Sequence, residues 1–309
     1  MSSLSRSADA AGLEVRCAAE VDSFVLDVGF SAAPGTTVAV VGPNGAGKST
    51  LVAALAGLLR IQRGRIVLHG RVVADATMKV FVPAERRRVA LVPQQARLFP
   101  HLTVRANVEF GLRHQRPDLD AVERRQRVTD ALDTVGLLNQ ADRRPRALSG
   151  GQAQRAAVAR ALVLEAPLLL LDEPLSNVDV GHRQTLRRVL AEHRPVGQVQ
   201  VVVTHGRDHA LDADQVVVLD HGRVLAAAPP DELVANPPSA WVAELLQPEG
   251  EPSSPPRRSA VIRAGRAGNP EAAPGGSLDE RGHQHDPDPH HRSGPPRHHR
   301  SADGDPGPG

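Results

Sequence analysis

Between residues 12 and 30 apolar and polar side chains alternate: Leu13, Val15 and Cys17, then Phe24, Leu26, Val28 and Phe30. A period of two predicts half-buried antiparallel strands. After the turn Pro34-Gly35 the pattern changes to an unbroken β-branched run, Thr37-Val38-Ala39-Val40-Val41, which predicts a strand covered on both faces. Leu51 to Leu59 then reads as a helix. Arg65 to Leu68 and Arg88 to Val92 read as further short strands, the first ending in a His69-Gly70 turn and the second closed by Pro93.

From Thr103, a helix N-cap by residue type, apolar positions recur at helical spacing through Val104, Val108, Phe110, Val122, Val128, Leu132 and Val135, as far as about Arg146. Arg113 to Arg127 is a charged, solvated piece of this stretch. Ser149 and two glycines open another helix through Val158 and Leu162. Leu168-Leu169-Leu170-Leu171 and Gln200-Val201-Val202-Val203-Thr204-His205 are two more buried strands, the second ending in His205. Gln215 to Leu219 and Arg223 to Leu225 close a hairpin around Asp220-His221-Gly222, and Trp241 to Leu246 forms a last short helix.

After Gln247 periodicity is lost. About a dozen prolines, many glycines and the pairs His290-His291 and His298-His299 fill residues 248–309, the composition of a disordered tail. No internal repeat is visible.

Composition adds three constraints. The formal net charge is +2 over 309 residues, so no nucleic-acid footprint is indicated. The single cysteine, Cys17, excludes an internal disulfide and fits a reducing compartment. No run reaches the roughly 20 apolar residues of a membrane helix, and the stretch Met1 to Arg6 lacks the apolar core of a signal peptide. Only Lys48 and Lys79 are lysines among 37 basic residues. In so Lys-poor a chain, Lys48 marks a position that wants a compact point charge rather than a planar fork.

Lys48 lies in Gly42-Pro43-Asn44-Gly45-Ala46-Gly47-Lys48-Ser49-Thr50, which fits G-x-x-x-x-G-K-[ST]. Between a buried strand and a helix, this spacing curls the backbone so that successive N–H groups face a phosphate. Lys48 then reaches the β- and γ-phosphates of a nucleotide, and Ser49 offers its hydroxyl to Mg²⁺. Asp172 and Glu173 end the four-leucine strand, where parallel sheets bind ligands. There Asp172 suits Mg²⁺ and Glu173 suits the attacking water. Gln94 follows a strand in a loop with proline on either side and reads as a hinge with a polar tip. His205, which ends the next buried strand, would alone be a satisfied bystander, but at the C-terminal edge of the same sheet it is placed to bond a γ-phosphate. Ser149-Gly150-Gly151-Gln152 offers bare amides as a second anion site; in isolation such a run is simply a Gly-containing helix start. Ser176 to Asp179 is a polar turn.

Taken in order, the phosphate loop, Gln94, Leu148-Ser149-Gly150-Gly151-Gln152, Leu168 to Glu173, Asp179 and His205 resemble the nucleotide-binding subunit of ATP-binding-cassette transporters over about residues 12 to 247. The resemblance implies an α/β fold with a P-loop NTPase core, a mixed parallel sheet, an antiparallel β subdomain and a helical insertion at about 95–163. Residues 1–247 then form one nucleotide-binding domain, and residues 248–309 are the tail. That tail cannot be the C-terminal β-barrel of many oxyanion cassettes.

The resemblance further implies an ATPase using ATP and Mg²⁺, the metal held by Ser49, Gln94 and Asp172. Glu173 and His205 would carry hydrolysis. Two copies would pair head to tail, each nucleotide touching Gly42 to Thr50 of one subunit and Ser149 to Gln152 of the other, with Asp179 communicating across the pair. The implied partners are two transmembrane permease subunits and, indirectly, a periplasmic or lipid-anchored substrate-binding protein. The implied location is peripheral, on the cytoplasmic face of the cell membrane.

Gln95 to Val104 with Asn107-Val108 resembles the oxyanion importers, most of all those for molybdate or tungstate. Sulfate, iron or polyamine cassettes and a soluble non-transport cassette are the alternatives. Two positions depart from the family pattern. No aromatic residue stands at Arg16 to Val21, where adenine is usually stacked, so Phe24 is the nearest candidate. Gly206 stands where aspartate commonly follows the histidine.

Overall fold

The computed structural model describes residues 11–176 and 178–247; the tail expected over 248–309 lies outside the described residues. The alternating segment folds as a hairpin, β1 (Leu13–Val21) and β2 (Phe24–Ala32), followed by β3 (Thr37–Val41) and α1 (Lys48–Ala56). Next come β4 (Arg63–Leu68), β5 (Arg71–Asp75), β6 (Val80–Phe81), α2 (Ala84–Arg87) and β7 (Val89–Val92). The helical insertion is α3 (Val104–Gln115), α4 (Ala121–Thr134) and α5 (Gly150–Leu162). The chain continues through β8 (Leu168–Asp172), α6 (Val180–Glu192), β9 (Val199–Val203), α7 (Arg207–Leu211), β10 (Gln215–Asp220), β11 (Arg223–Ala228), α8 (Pro230–Ala235) and α9 (Ala240–Leu246).

One sheet runs β6-β5-β4-β1-β2-β11-β10-β3-β9-β8-β7. The half from β10 to β7 is parallel, and β6 to β2 is antiparallel, so the sheet is mixed, as expected.

The parallel strands are largely apolar because both faces are covered, and buried Gln200 of β9 is satisfied by donating to Leu190 O at 2.8 Å. Leu168 and Leu170 of β8 enter one core with α1 and the antiparallel strands, while Leu169 and Leu171 enter a second with α3, α4, α5 and α6. Val38 and Val40 of β3 join the first core, and Ala39 and Val41 a third beneath α7, α8 and α9. Alternation along a strand thus distributes one run of aliphatic residues between two layers.

Several boundaries differ from the sequence expectation, each for a local reason. Helix α1 starts at Lys48, inside the phosphate loop, and stops at Ala56, because Gly57 takes a left-handed conformation (φ 80°) and returns its N–H to Ala53 and Ala54. The His69-Gly70 turn, with φ of 45° and 74°, leads into β5 rather than ending the sheet. The long helical stretch is broken at Arg116 to Asp120, where Asp120 and Glu123 form a capping box that starts α4. Strand β9 ends at Val203, two residues before His205. No described helix is long and apolar enough to cross a membrane.

Arg87 had no expected role. It is 1 % exposed. Its guanidinium donates to Ala54 O and Leu55 O at the end of α1, to Val73 O of β5 and to Val82 O. Burial without a carboxylate partner lowers its pKa to about 10. The charge lies against the negative end of the α1 dipole and ties the antiparallel strands to the helix that follows the phosphate loop.

Candidate nucleotide site

The phosphate loop is shaped by close approach. A Cβ on Gly42 would meet the Leu219 carbonyl of β10 at 2.1 Å, and one on Gly47, at φ 102°, would meet the Phe24 ring at 2.7 Å. Gly222 N donates to Ala46 O at 3.0 Å, so the β10–β11 turn buttresses the loop from below. Gly47 caps α1 without any side-chain bond, which leaves the first amides of the helix to an anion. Lys48 is buried, and its Nζ donates to Gly42 O at 2.7 Å and Pro43 O at 2.9 Å. Burial lowers its pKa, while the charges of Glu173 and Asp172 act in the opposite sense.

A cavity of about 530 Å³ opens above the loop. Asn44, Gly45, Gly47, Lys48, Ser49 and Thr50 line it from the loop, and Gln94, Asp172, Glu173 and His205 from the ends of the parallel strands. Gly42, Pro43 and Ala46 are not among the lining residues; they build the loop beneath. The acidic strand end is closely bonded. Gln94 Nε2 donates to one Glu173 oxygen at 3.2 Å, and His205 Nε2 lies 3.2 Å from the other. Glu173 has φ 48°, a strained conformation for a carboxylate side chain, held by its N–H bonding Val203 O at 3.0 Å. Burial, then the Glu173 charge, raise the Asp172 pKa; Lys48 and His205 oppose them. Ser49, Gln94 and Asp172 supply oxygen donors to the same cavity, a hard-donor set that fits Mg²⁺. Among the described residues no cluster of three or more His, Cys, Asp or Glu side chains could hold a metal ion.

Phe24 opens β2 and lines the cavity beside Val21, Asp22 and Ser23 at the hairpin tip. Its ring lies against Gly47, so it belongs to the wall of the site as well as packing against the core.

Ser149, Gly150, Gly151 and Gln152 do not line this cavity. They begin α5 with a reciprocal capping box: Ser149 Oγ accepts from Gln152 N at 3.2 Å, and Gln152 Oε1 from Ser149 N at 3.0 Å. The pattern S-x-x-Q was readable as such a box. Asp179 caps α6 through its carbonyl, which accepts from His182 and Arg183, and its charge acts on Arg155 of α5.

Helix α5 also grips the loop carrying Gln94. Gln154 donates to Pro93 O at 3.3 Å, and Arg160 to Ala96 O and Arg97 O at 3.0 and 2.9 Å. Buried Asn107 of α3 accepts from Phe99 N and donates to the carbonyls of Phe99, Leu102 and Thr103. These side chains reach across more than 50 residues in the case of Arg160, and no local pattern announces them.

Strand, glycine-rich loop, helix and an acidic strand end on one parallel sheet define a P-loop NTPase fold. Residues 25–176 match the ABC transporter family. The chain is 44 % identical over 228 residues to the Fe(3+) ions import ATP-binding protein FbpC of Pseudomonas fluorescens, covering 72 % of this chain and 62 % of that one. It is 40 % identical over 248 residues to the sulfate/thiosulfate import ATP-binding protein CysA of Synechococcus elongatus, covering 80 % and 69 %. It is 43 % identical over 227 residues to the molybdenum import ATP-binding protein ModC of Mycobacterium tuberculosis, covering 71 % and 61 %. A dimeric ATP-binding cassette, MJ0796, solved in a post-hydrolysis state with ADP and Pi, superposes with a TM-score of 0.62 at 27 % identity, covering 70 % of this chain and 98 % of that one. The chain belongs to the ABC transporter ATPase family. It spans about three-fifths of the length of the iron- and molybdenum-import relatives.

Proposed function

We propose that this chain is the ATP-hydrolysing subunit of an importer. The observation that carries the reading is the convergence of Lys48, Ser49, Gln94, Asp172, Glu173 and His205 on one cavity above a phosphate loop. In this reading the loop amides and Lys48 hold the β- and γ-phosphates. Ser49, Gln94 and Asp172 hold Mg²⁺, which when bound neutralises phosphate charge. Glu173 accepts the proton of the attacking water; its two oxygens are aimed by Gln94 and His205. His205 also reaches the γ-phosphate. The exposed start of α5 at Ser149 to Gln152 serves the nucleotide of a second copy, with Asp179 at the contact between copies. Through Gln154 and Arg160, α5 moves with the Gln94 loop, which gives the nucleotide site a mechanical route to permease subunits at the membrane's cytoplasmic face. A substrate-binding protein acts on their far side.

For the cargo we propose an oxyanion of the molybdate or tungstate type. The run Gln95 to Val104 with Asn107-Val108 and the molybdenum-import relative support it. The iron- and sulfate-import relatives set the competing cargoes. The test is ATPase activity of the full chain assembled with its permease and binding protein, against molybdate, tungstate, sulfate, ferric iron and spermidine. Stimulation by molybdate and tungstate alone is expected. Stimulation by another compound overturns the cargo, and absence of turnover in any assembly overturns the hydrolysis reading. In the same assay Glu173→Gln is expected to bind ATP and lower turnover at least about 100-fold; turnover at the unmodified rate would contradict Glu173 as the base.

A further inference from the structure

His205 stands in the middle of a three-residue connection, Thr204 to Gly206, between β9 and α7, and its placement depends on how that connection is closed. Thr204 is buried (4 % exposed) and anchored to the sheet by its N–H, which bonds Val40 O of β3 at 3.2 Å. Its Oγ1 accepts the Gly206 N–H at 2.9 Å and lies 3.3 Å from His209 Nδ1. One hydroxyl therefore joins the backbone on the far side of His205 to a side chain one turn into α7. After accepting from Gly206, Oγ1 keeps its own hydrogen and a second lone pair, so it can pair with Nδ1 in either neutral tautomer of His209.

The surroundings keep this imidazole in place. Its Nε2 is shielded from solvent and has no hydrogen-bond partner among the described residues, a cost of about 1–3 kcal/mol for a buried polar group. Arg187 of α6 clamps α7 on both sides of His209, donating to Asp208 at 2.8 Å and to Asp212. Burial, then the Arg187 charge, push the His209 pKa below its ordinary value, with Asp212 and Asp208 acting in the other sense. A buried ring nitrogen without a partner calls for an explanation, and the only bond this ring makes among the described residues is the one that closes the His205 turn.

We propose that His209 is a positioning residue for His205: through Thr204 Oγ1 it fixes the turn at Gly206 and so holds the His205 imidazole against Glu173. His209 itself touches no reacting atom. The proposal rests on the hydrolysis reading given above, and its consequence is specific. Loss of the His209–Thr204 tie leaves the phosphate loop and Lys48 untouched but lets His205 drift from its 3.2 Å contact with Glu173. Small misplacements of a catalytic group lower turnover strongly.

The experiment compares the full chain with His209→Ala, Thr204→Val, the double variant and Thr204→Ser. ATPase kinetics are measured together with amide hydrogen exchange at Gly206. His209→Ala and Thr204→Val are each expected to lower kcat about ten-fold, with KM for ATP changed less than about two-fold. The double variant should be no slower than either single variant, since the two residues act through one bond. Thr204→Ser keeps the hydroxyl and should restore kcat. Gly206 exchange should quicken in the first three variants and stay slow in Thr204→Ser. An unchanged kcat in His209→Ala, losses that multiply in the double variant, or unaltered Gly206 exchange would overturn the proposal. A chain without ATPase activity would overturn the hydrolysis reading alone, because the exchange result still decides whether His209 holds the turn.

Discussion

Two helices in this molecule start with glycine-rich turns, and they are finished in opposite ways. Helix α1 begins at Gly47 with no side-chain cap, and its open amides face a cavity lined from the loop and three strand ends. Helix α5 begins at Ser149 with a complete capping box and lies apart from that cavity. An uncapped start is left polar for a ligand supplied from outside. A capped start is stable by itself and can present Ser149 and Gly150 at the surface, where both are exposed. One chain thus carries a deep anion site and a shallow, self-capped helix start, the two parts that the proposed pairing of two copies would bring together.

Three substitutions bear on that contrast, in descending size. Lys48→Ala removes the charge at the open helix start. ATP affinity measured by calorimetry should fall at least about 100-fold, while the melting temperature stays level or falls slightly, since the relief of burying an ammonium is set against the loss of its bonds to Gly42 O and Pro43 O. Arg87→Met acts at the other end of α1 and strands the carbonyls of Ala54, Leu55, Val73 and Val82. Urea unfolding should show a loss of about 3 kcal/mol or more, with ATP affinity lowered only through the unfolded fraction. Ser149→Ala removes half of the α5 capping box and should cost about 1 kcal/mol in the same unfolding assay, without weakening ATP binding to the single chain. If Ser149→Ala weakened that binding as strongly as Lys48→Ala, the two helix starts would not be separate half-sites.

The same contrast explains what could be read in advance. The loop, the four-leucine strand and the acidic pair Asp172-Glu173 are contiguous, so spacing alone places them. Hydrophobic period likewise reveals β1, β2, β3 and β8. The box at Ser149 and Gln152 is also local, yet its meaning was obscured because bare glycines suggest open amides. Strands β5 and β6 were missed because His69-Gly70 marks a turn without saying that the chain turns back into the sheet. Arg87 was invisible for another reason. Arginine is ordinarily exposed, and only the meeting of α1, β5 and α2 in space supplies the carbonyls that bury it. Thr204, His209 and Arg187 belong to the same class, since their contacts join α6, β9 and α7. Phe24 is in the sequence only the nearest candidate for stacking on adenine; that its ring lies against Gly47 depends on how the hairpin and the loop meet in space.

The central claim is that the open start of α1 and the capped start of α5 complete one nucleotide site between two copies. Sedimentation velocity of the Glu173→Gln chain with ATP and Mg²⁺ tests it most directly, beside the same chain carrying Ser149→Arg as well. The account predicts an ATP-dependent dimer for the first and a monomer that still binds ATP and melts cooperatively for the second. An equally stable dimer with Ser149→Arg in place, or a Glu173→Gln chain that stays monomeric while saturated with ATP, would contradict it.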